Sequence, residues 1–337
     1  MNYNRLVSII TPCYNGEKFV ERFFENILDQ TYKNIELIFV NDGSSDKTEE
    51  IAMSYIPKFE AVGKRLIYIY QKNAGQAAAI NKGLPIFKGD YLMWTDSDDL
   101  LDRQNVDKKV NYMENHLDVG IVMCRGRKVL ETNLNHKIEE YFRIPPKEKD
   151  DFFEDLLVSK NVVFTPGIYM VRRSVIEKAF PDRKILESRI GQNFQMLLPI
   201  AYIAKCGYIN EDLFSYVIRS DSHSNEKHTM EDLMKQDKEH EAVVLQLLDI
   251  IQPKNKSKYV AMVRSKYMRT QMDRAYLYKN KKVLIEKYKQ LKKNHYAQKR
   301  DTLIYLAGLF RIIDVFYMIF RKIKKWKYYL WVKLNKT

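Results

Sequence analysis

Along the first third of the chain, short apolar runs alternate with stretches in which apolar residues recur every three or four positions. Residues 6–11 (LVSIIT), 35–40 (IELIFV), 66–70 and 91–95 have the length and β-branched content of buried strands. Between the first two, residues 17–29 put Val20, Phe23, Phe24, Ile27 and Leu28 on one helical face. Asp46 opens a second helix, with Glu49 three residues on as in a capping box. Residues 76–84 make an Ala-rich third helix. After Asp102, Val106, Val110, Met113 and Leu117 form the stripe of a fourth. Four strand-loop-helix units predict an α/β fold with a mostly parallel sheet and right-handed crossovers. The loops at the carboxyl ends of the strands (11–15, 41–45, 73–75 and 96–99) are then expected to meet in one crevice.

Beyond residue 117 the pattern is coarser. Residues 119–124 read as a strand. Residues 133–150, polar and holding Pro145-Pro146, read as a long loop that could serve as a lid. The apolar run 162–171 is broken by Pro166-Gly167. Residues 187–204 carry a helical stripe of Ile190, Phe194, Leu197, Leu198 and Ala201, ended by Lys205-Cys206-Gly207. A strand over 213–218 leads to RSDSHS. Residues 226–300 mix charged and apolar positions with almost no Gly or Pro, as a helical segment does. The expected organisation is a domain over 1–224, a helical extension over 225–300 and a tail over 301–337.

Charge separates these parts. The net charge of the 337 residues is +14, yet from residue 251 onward there are 24 Lys+Arg against 4 Asp+Glu, and before it 33 against 39. A mildly acidic body thus precedes a basic end suited to an anionic surface. In the tail, residues 302–320 approach spanning length, but Arg311 and Asp314 fall mid-run, and each would cost roughly 2.5–3.5 kcal/mol at a bilayer centre. An interfacial helix with Leu303, Leu306, Phe310 and Ile313 toward lipid avoids that cost. The basic and aromatic residues after it (Trp326, Tyr328, Tyr329, Trp331) have interfacial composition, which predicts peripheral attachment to the cytoplasmic face of a membrane. A helix packed on protein, or binding of nucleic acid, would use the same residues; with no recognised nucleic-acid motif, no specific nucleic-acid partner is expected. Cys13, Cys124 and Cys206 are odd in number and flanked by apolar residues, as free thiols of a reducing compartment are. No Gly-x-Gly-x-x-Gly or Gly-Lys-Ser/Thr loop is present, which argues against dinucleotide oxidoreductases and P-loop NTPases.

The chemistry concentrates in residues 91–101, YLMWTDSDDLL. An extended chain turns Asp96 and Asp98 to one side and Asp99 to the other. Such paired carboxylates suit Mg²⁺ or Mn²⁺, which complete their shells with water and phosphate oxygens. Asp-x-Asp alone also fits a helix-capping turn.

Taken in order, SIITPCYNGEKFVERFFENILDQTYKNIELIFVNDGSSDKT, KNAGQAAAINKGL and GDYLMWTDSDDLL resemble family 2 glycosyltransferases of the bacterial cell-surface type, which have the Rossmann-like GT-A fold. The likeness is strong over the first third and fades toward residue 224. It implies a nucleotide-sugar donor (UDP by preference), a divalent metal, inversion at the anomeric carbon, and a glycan or lipid-linked acceptor. By the same resemblance Thr11, Pro12, Tyr14, Asn15 and Asp42 hold the base, with Asn73 and Gly75 in the neighbouring loop. Asp96 meets the ribose and Asp98 the metal. His223 resembles the His that completes the metal site in many such enzymes, and a surface His fits equally. Tyr14 could equally be a rim aromatic, and Asp42 the polar residue of its own turn. The family's proton acceptor is usually the Asp of a Glu-Asp pair where this chain has Gln192-Asn193. Neither amide can act as a base, although both could orient acceptor hydroxyls. The nearest carboxylates are Glu187, which could instead cap the helix, and Asp182. A non-catalytic sugar-nucleotide-binding protein is the alternative this departure leaves open.

Overall fold

The computed structural model describes residues 4–143, 152–219 and 229–310. The chain divides into two compact units, Met1–Glu226 with Val243–Lys256, and Lys227–Ala242 with Ser257–Thr337.

The first unit is built on a nine-stranded sheet. β1 (Val7–Cys13), β2 (Ile35–Asn41), β3 (Arg65–Tyr70) and β4 (Tyr91–Trp94) alternate with α1 (Val20–Leu28), α2 (Thr48–Ala61) and α3 (Gln76–Gly83). They pair in parallel in the order β3-β2-β1-β4, as the alternating periods predict. β5 (Leu100–Leu101), α4 (Asn105–Asn115), β6 (Val119–Leu130), β7 (Asn133–Tyr141), α5 (Phe152–Val158), β8 (Tyr169–Arg172), α6 (Arg173–Ala179), α7 (Gln192–Ile203) and β9 (Lys205–Ile218) complete the unit. The sheet continues β4-β8-β6-β9-β5, with β7 on β6. β8 runs antiparallel to both neighbours, while β6 and β9 form a long parallel pair. Most paired residues are therefore parallel, with helices on the sheet's faces.

Why α1 holds its place is visible in its contacts. Val20, Phe23, Phe24 and Ile27 are buried, and Phe24 packs edge-on to Phe39 at 4.9 Å and beside Tyr55 at 5.1 Å. Burying each such ring is worth roughly 2–3 kcal/mol. At the other end of α1, Lys64 Nζ donates to the carbonyls of Ile27, Leu28 and Gln30 at 2.7–3.0 Å, satisfying acceptors that a helix end leaves open.

Four expectations change. Residues 133–141 are strand β7, not loop; residues 144–151 lie outside the description. Lys205-Cys206-Gly207 does not cap a helix but begins β9. The helix expected from Glu187 begins at Gln192, because Gly191 takes a left-handed φ of 76°. Leu117 lies past the end of α4 and is 78% exposed.

The second unit comprises part of α8 (Met230–Ile251) with α9 (Lys256–Leu277), α10 (Lys281–Lys293) and α11 (Lys299–Phe310). Met272, Ala275, Leu284, Tyr288, Leu291 and Ile304 form its core, and Tyr288 stacks on Tyr305 at 4.1 Å. Buried Asp301 takes Arg269 Nε at 3.0 Å and the Gln298 backbone N–H at 2.9 Å, tying α11 to α9. Gly308 lies against Leu284 and Tyr276, so α11 ends beside the start of α10. No helix among the described residues is long and apolar enough to cross a membrane.

Candidate active site

Strand order reverses at β1, whose two parallel neighbours are β2 and β4. Chains leave the carboxyl ends of β1 and β4 in opposite directions there, opening the crevice where α/β sheets bind ligands. The four loops do converge on it. Asn15, at φ 49°, accepts from the Ser45 N–H at 2.9 Å and donates its own N–H to Ser44 Oγ at 2.9 Å. Gly43, at φ 78°, comes so close to the next loop that a Cβ would stand 2.6 Å from the Asn73 nitrogen. Only glycine fits both demands.

Asp42 is buried at this junction. Its Oδ1 accepts from Gln71 Nε2 at 2.6 Å and the Ala74 N–H at 2.8 Å, and its Oδ2 from the Gly75 N–H at 2.9 Å. The carboxylate thus shapes the 73–75 loop. Gly75 takes φ 93° to open α3, whose first residue, Gln76, donates from Nε2 to Asp96 Oδ1 at 2.9 Å.

β4 ends at Trp94, so the alternation expected to carry through the carboxylates stops short of them. Asp96 turns to α3. Asp98 Oδ2 pairs with Arg219 Nη2 at 3.2 Å, while its backbone carbonyl takes Arg22 Nη2 at 3.1 Å. Asp99 Oδ1 accepts the Val217 N–H at 3.0 Å, and its Oδ2 is buried without a hydrogen-bond partner. Burial, then the field of Asp98, pushes the Asp96 carboxyl up; Asp99 rises further for the same reasons plus Asp96. Asp98 is also raised by burial, against the opposing pull of Arg219 and Arg22. Three acidic groups therefore share one place with too little positive charge. Such a donor set fits a hard divalent cation, although among the described residues no three His, Cys, Asp or Glu already stand in metal-holding geometry.

The remaining predicted residues divide. Tyr14 is 53% exposed beside Asn15, at the rim of the crevice. Thr11 and Pro12 lie inside β1 rather than in the loop after it, and both are buried. Asn73 Oδ1 takes Arg189 Nη2 at 3.4 Å. Glu187 is exposed and held by Lys184 Nζ at 3.1 Å and Asn81 Nδ2 at 3.2 Å, and the Lys184 contact keeps its carboxyl below the usual range. Asn81 is five residues along α3 from Gln76, about 7.5 Å at 1.5 Å per residue, so Glu187 is anchored more than a helical turn from the residue that touches Asp96. Asp182 is exposed. Asn193 lies in the first turn of α7 with its Oδ1 buried and unpartnered, next to Gln192. His223 lies outside the described residues. Arg22, Gln76, Arg189 and Arg219 were not legible as site residues. Gln76, just after the Gly75 break, carried the best available signal.

A mostly parallel sheet with carboxylates at its switch point and four loops meeting around them has the architecture of a GT-A domain. The model of glycosyl transferase family 2 matches residues 8–180, just over half of the chain, and the chain belongs to that family. Over 129 residues it is 44% identical to an uncharacterized glycosyltransferase of Rickettsia typhi, a stretch covering 38% of each protein. It is 28% identical over 231 residues to the minor teichoic acid biosynthesis protein GgaB of Bacillus subtilis, covering 66% of this chain and 24% of that one. The chain thus spans well under two thirds of the length of these curated relatives. Among solved structures, S. aureus TarS 1–349 in complex with UDP-GlcNAc superposes with a TM-score of 0.60 over 90% of both chains, at 15% identity. The mannosyltransferase PcManGT from Pyrobaculum calidifontis, in complex with GDP-Man and Mn²⁺, gives 0.50 over 92% of this chain and 88% of that one, at 16% identity. At these identities the likeness is one of fold.

Proposed function

We propose that this family 2 enzyme is an inverting, divalent-metal-dependent transferase that moves a sugar from a nucleotide-sugar, UDP-linked by preference, to a lipid-linked or cell-surface glycan. The observation that carries this reading is the crowding of Asp96, Asp98 and Asp99 at the carboxyl end of β4. The names of GgaB and of the UDP-GlcNAc and Mn²⁺ complexes support the donor, metal and pathway class.

Asp98 would hold Mg²⁺ or Mn²⁺, with His223 as a candidate second ligand, and Asp96 would meet the ribose of the donor. When bound, the ion neutralises charge that builds on a leaving diphosphate. The chain's own residues do the positioning. Tyr14 and Asn15 flank the crevice as a stacking face and a hydrogen-bonding edge for the base. Asp42 fixes the Asn73–Gly75 side of the same slot through the two N–H bonds described above. Glu187 is our assignment for the acceptor proton, with Asp182 behind it, and Gln192 and Asn193 orient the acceptor hydroxyls. We assign the basic tail to the cytoplasmic face of a membrane; the exposure of Leu303 (61%) and Leu306 (36%) on α11 supports this.

A donor screen tests the reading. The full chain, incubated with UDP-, GDP- and dTDP-sugars and either Mg²⁺ or Mn²⁺, is expected to release nucleoside diphosphate from one of them, and chelation is expected to stop the release. No release from any donor with either ion would overturn it.

A further inference from the structure

The helical unit has two ends, and one of them is unusual for a protein tip in water. α9 ends at Leu277, α10 begins at Lys281, and α11 ends beside them, because Lys281 Nζ donates to the Leu309 carbonyl at 3.2 Å. The turn joining α9 to α10 reads Leu277-Tyr278-Lys279-Asn280-Lys281-Lys282, with no acidic residue between Asp273 and Glu286. Leu277 is 56% exposed and Tyr278 48%, and Lys279, Lys281 and Lys282 are all exposed. Water-facing turns favour Gly, Asn, Asp and Ser. Two large apolar side chains among three lysines is instead the composition of a membrane interface.

The turn is firmly built. The Tyr278, Lys279 and Asn280 N–H groups donate to the carbonyls of Arg274, Tyr276 and Ala275, and the Asn280 side chain caps α10 by accepting from the Val283 N–H at 3.1 Å. Lys279 holds a φ of +57°, the position where helix ends commonly use glycine. A lysine there accepts backbone strain and adds a charge to the tip. The last described turn of α11 lies at this same end, and the sequence after it carries Arg321, Lys322, Lys324, Lys325 and Lys327, interleaved with Trp326, Tyr328 and Tyr329.

We infer that the α9–α10 turn is a second membrane-docking element, seating Leu277 and Tyr278 among the headgroups of an anionic bilayer with Lys279, Lys281 and Lys282 on lipid phosphates. The inference rests on the assignment of the tail to a membrane, since α11, from which the tail continues in sequence, packs beside this turn through Leu309. Charge complementarity commits it to a lipid surface: each lysine contributes roughly a fivefold gain in partitioning to anionic lipid at low salt, and the apolar pair adds a term that salt does not screen.

Co-sedimentation of the full chain with phosphatidylcholine vesicles, with and without phosphatidylglycerol, tests it. A turn variant (Leu277→Ser, Tyr278→Ser, Lys279→Gly, Lys282→Ser) is compared with a tail variant (Lys322→Ser, Lys324→Ser, Lys325→Ser). The turn variant is expected to lose at least tenfold in binding to phosphatidylglycerol vesicles. Lys279→Gly alone is expected to weaken binding without lowering the melting temperature, because glycine relieves the left-handed φ. A turn variant that binds as the wild type does, while the tail variant fails, overturns the turn and leaves the tail assignment standing. The reverse result supports the turn and removes the tail. A single-stranded oligonucleotide bound as tightly as anionic vesicles, and through the same lysines, would overturn lipid as the partner.

Discussion

Arg219 Nη2 lies 3.2 Å from Asp98 Oδ2, so the carboxylate proposed to meet a metal already carries a partner from the last residue before the undescribed 220–228 segment. The pair is only partly exposed, and Arg219 also faces the Phe19 ring at 4.3 Å. A divalent ion must therefore compete with a guanidinium, and the gain from binding it is smaller than bare carboxylates would provide.

That competition separates function from stability. Asp98→Asn keeps an oxygen for Arg219 and removes one of three crowded acidic groups. We expect metal-dependent binding of a UDP-sugar to disappear from calorimetry while the melting temperature holds or rises by a few degrees. A variant that binds donor with undiminished metal dependence would remove Asp98 from the site.

Asp42 predicts the opposite balance. In Asp42→Asn, one carboxylate oxygen becomes an NH₂ that must face a donor in place of accepting from it. The expected cost is about 1–3 kcal/mol in denaturant unfolding, together with weaker donor binding as the 73–75 loop loosens. Unfolding at the wild-type midpoint would show that the three bonds contribute little.

Glu187 is tested by rate and by pH together. As the base, Glu187→Gln should lower turnover about 10²–10⁴-fold with donor affinity intact. Because Lys184 holds its carboxyl below the ordinary range, it stays ionised further into acid, so the acid limb of kcat/KM should fall below the usual glutamate region. Turnover within a few-fold of wild type would transfer the role to Asp182 or away from protein carboxylates.

Lys109 is fully buried on α4, with Nζ donating to the Gly167 carbonyl at 2.7 Å, and burial lowers its pKa to about 8. Gly167 in turn donates its N–H to the Trp94 carbonyl at 2.6 Å, at the end of β4 and just before the carboxylates. Between pH 8 and the ordinary lysine value, the unfolded chain binds the proton that the folded chain has lost, so this group adds stability as pH rises. Relative to Lys109→Met, the wild type should gain on the order of 2 kcal/mol from pH 8 to pH 10. A difference that stays flat with pH would mean Lys109 remains charged.

The first four strands and their helices were legible because local pattern and burial agree there: apolar strands covered on both faces, and helices with one greasy side. β7 was not, because NLNHKIEEY has neither clear alternation nor β-branched density. Its place comes from ion pairs across the sheet: Lys128 to Glu139 at 3.0 Å, Arg125 to Glu140 at 2.9 Å and Lys137 to Asp212 at 3.0 Å. β9 hid its start for a related reason. Lys205-Cys206-Gly207 reads as a stop signal, whereas pairing with β6 makes it an extended beginning. In the site, the loops and acidic residues announced themselves, but Arg22 and Arg219 are ordinary surface-type residues until the fold brings them to Asp98. No one-dimensional pattern carries that information.

Asp99 is closed over by the Val217 N–H, a partner 118 residues further along the chain. Closing so long a loop costs entropy before any contact offsets it, so this pairing belongs late in folding. On a ribosome the four N-terminal strands can pair while β9 is still unmade, leaving the carboxylates hydrated and mutually screened by water. Their crowding arises when β9 arrives, and the energetic strain of the site is therefore a property of the finished domain alone.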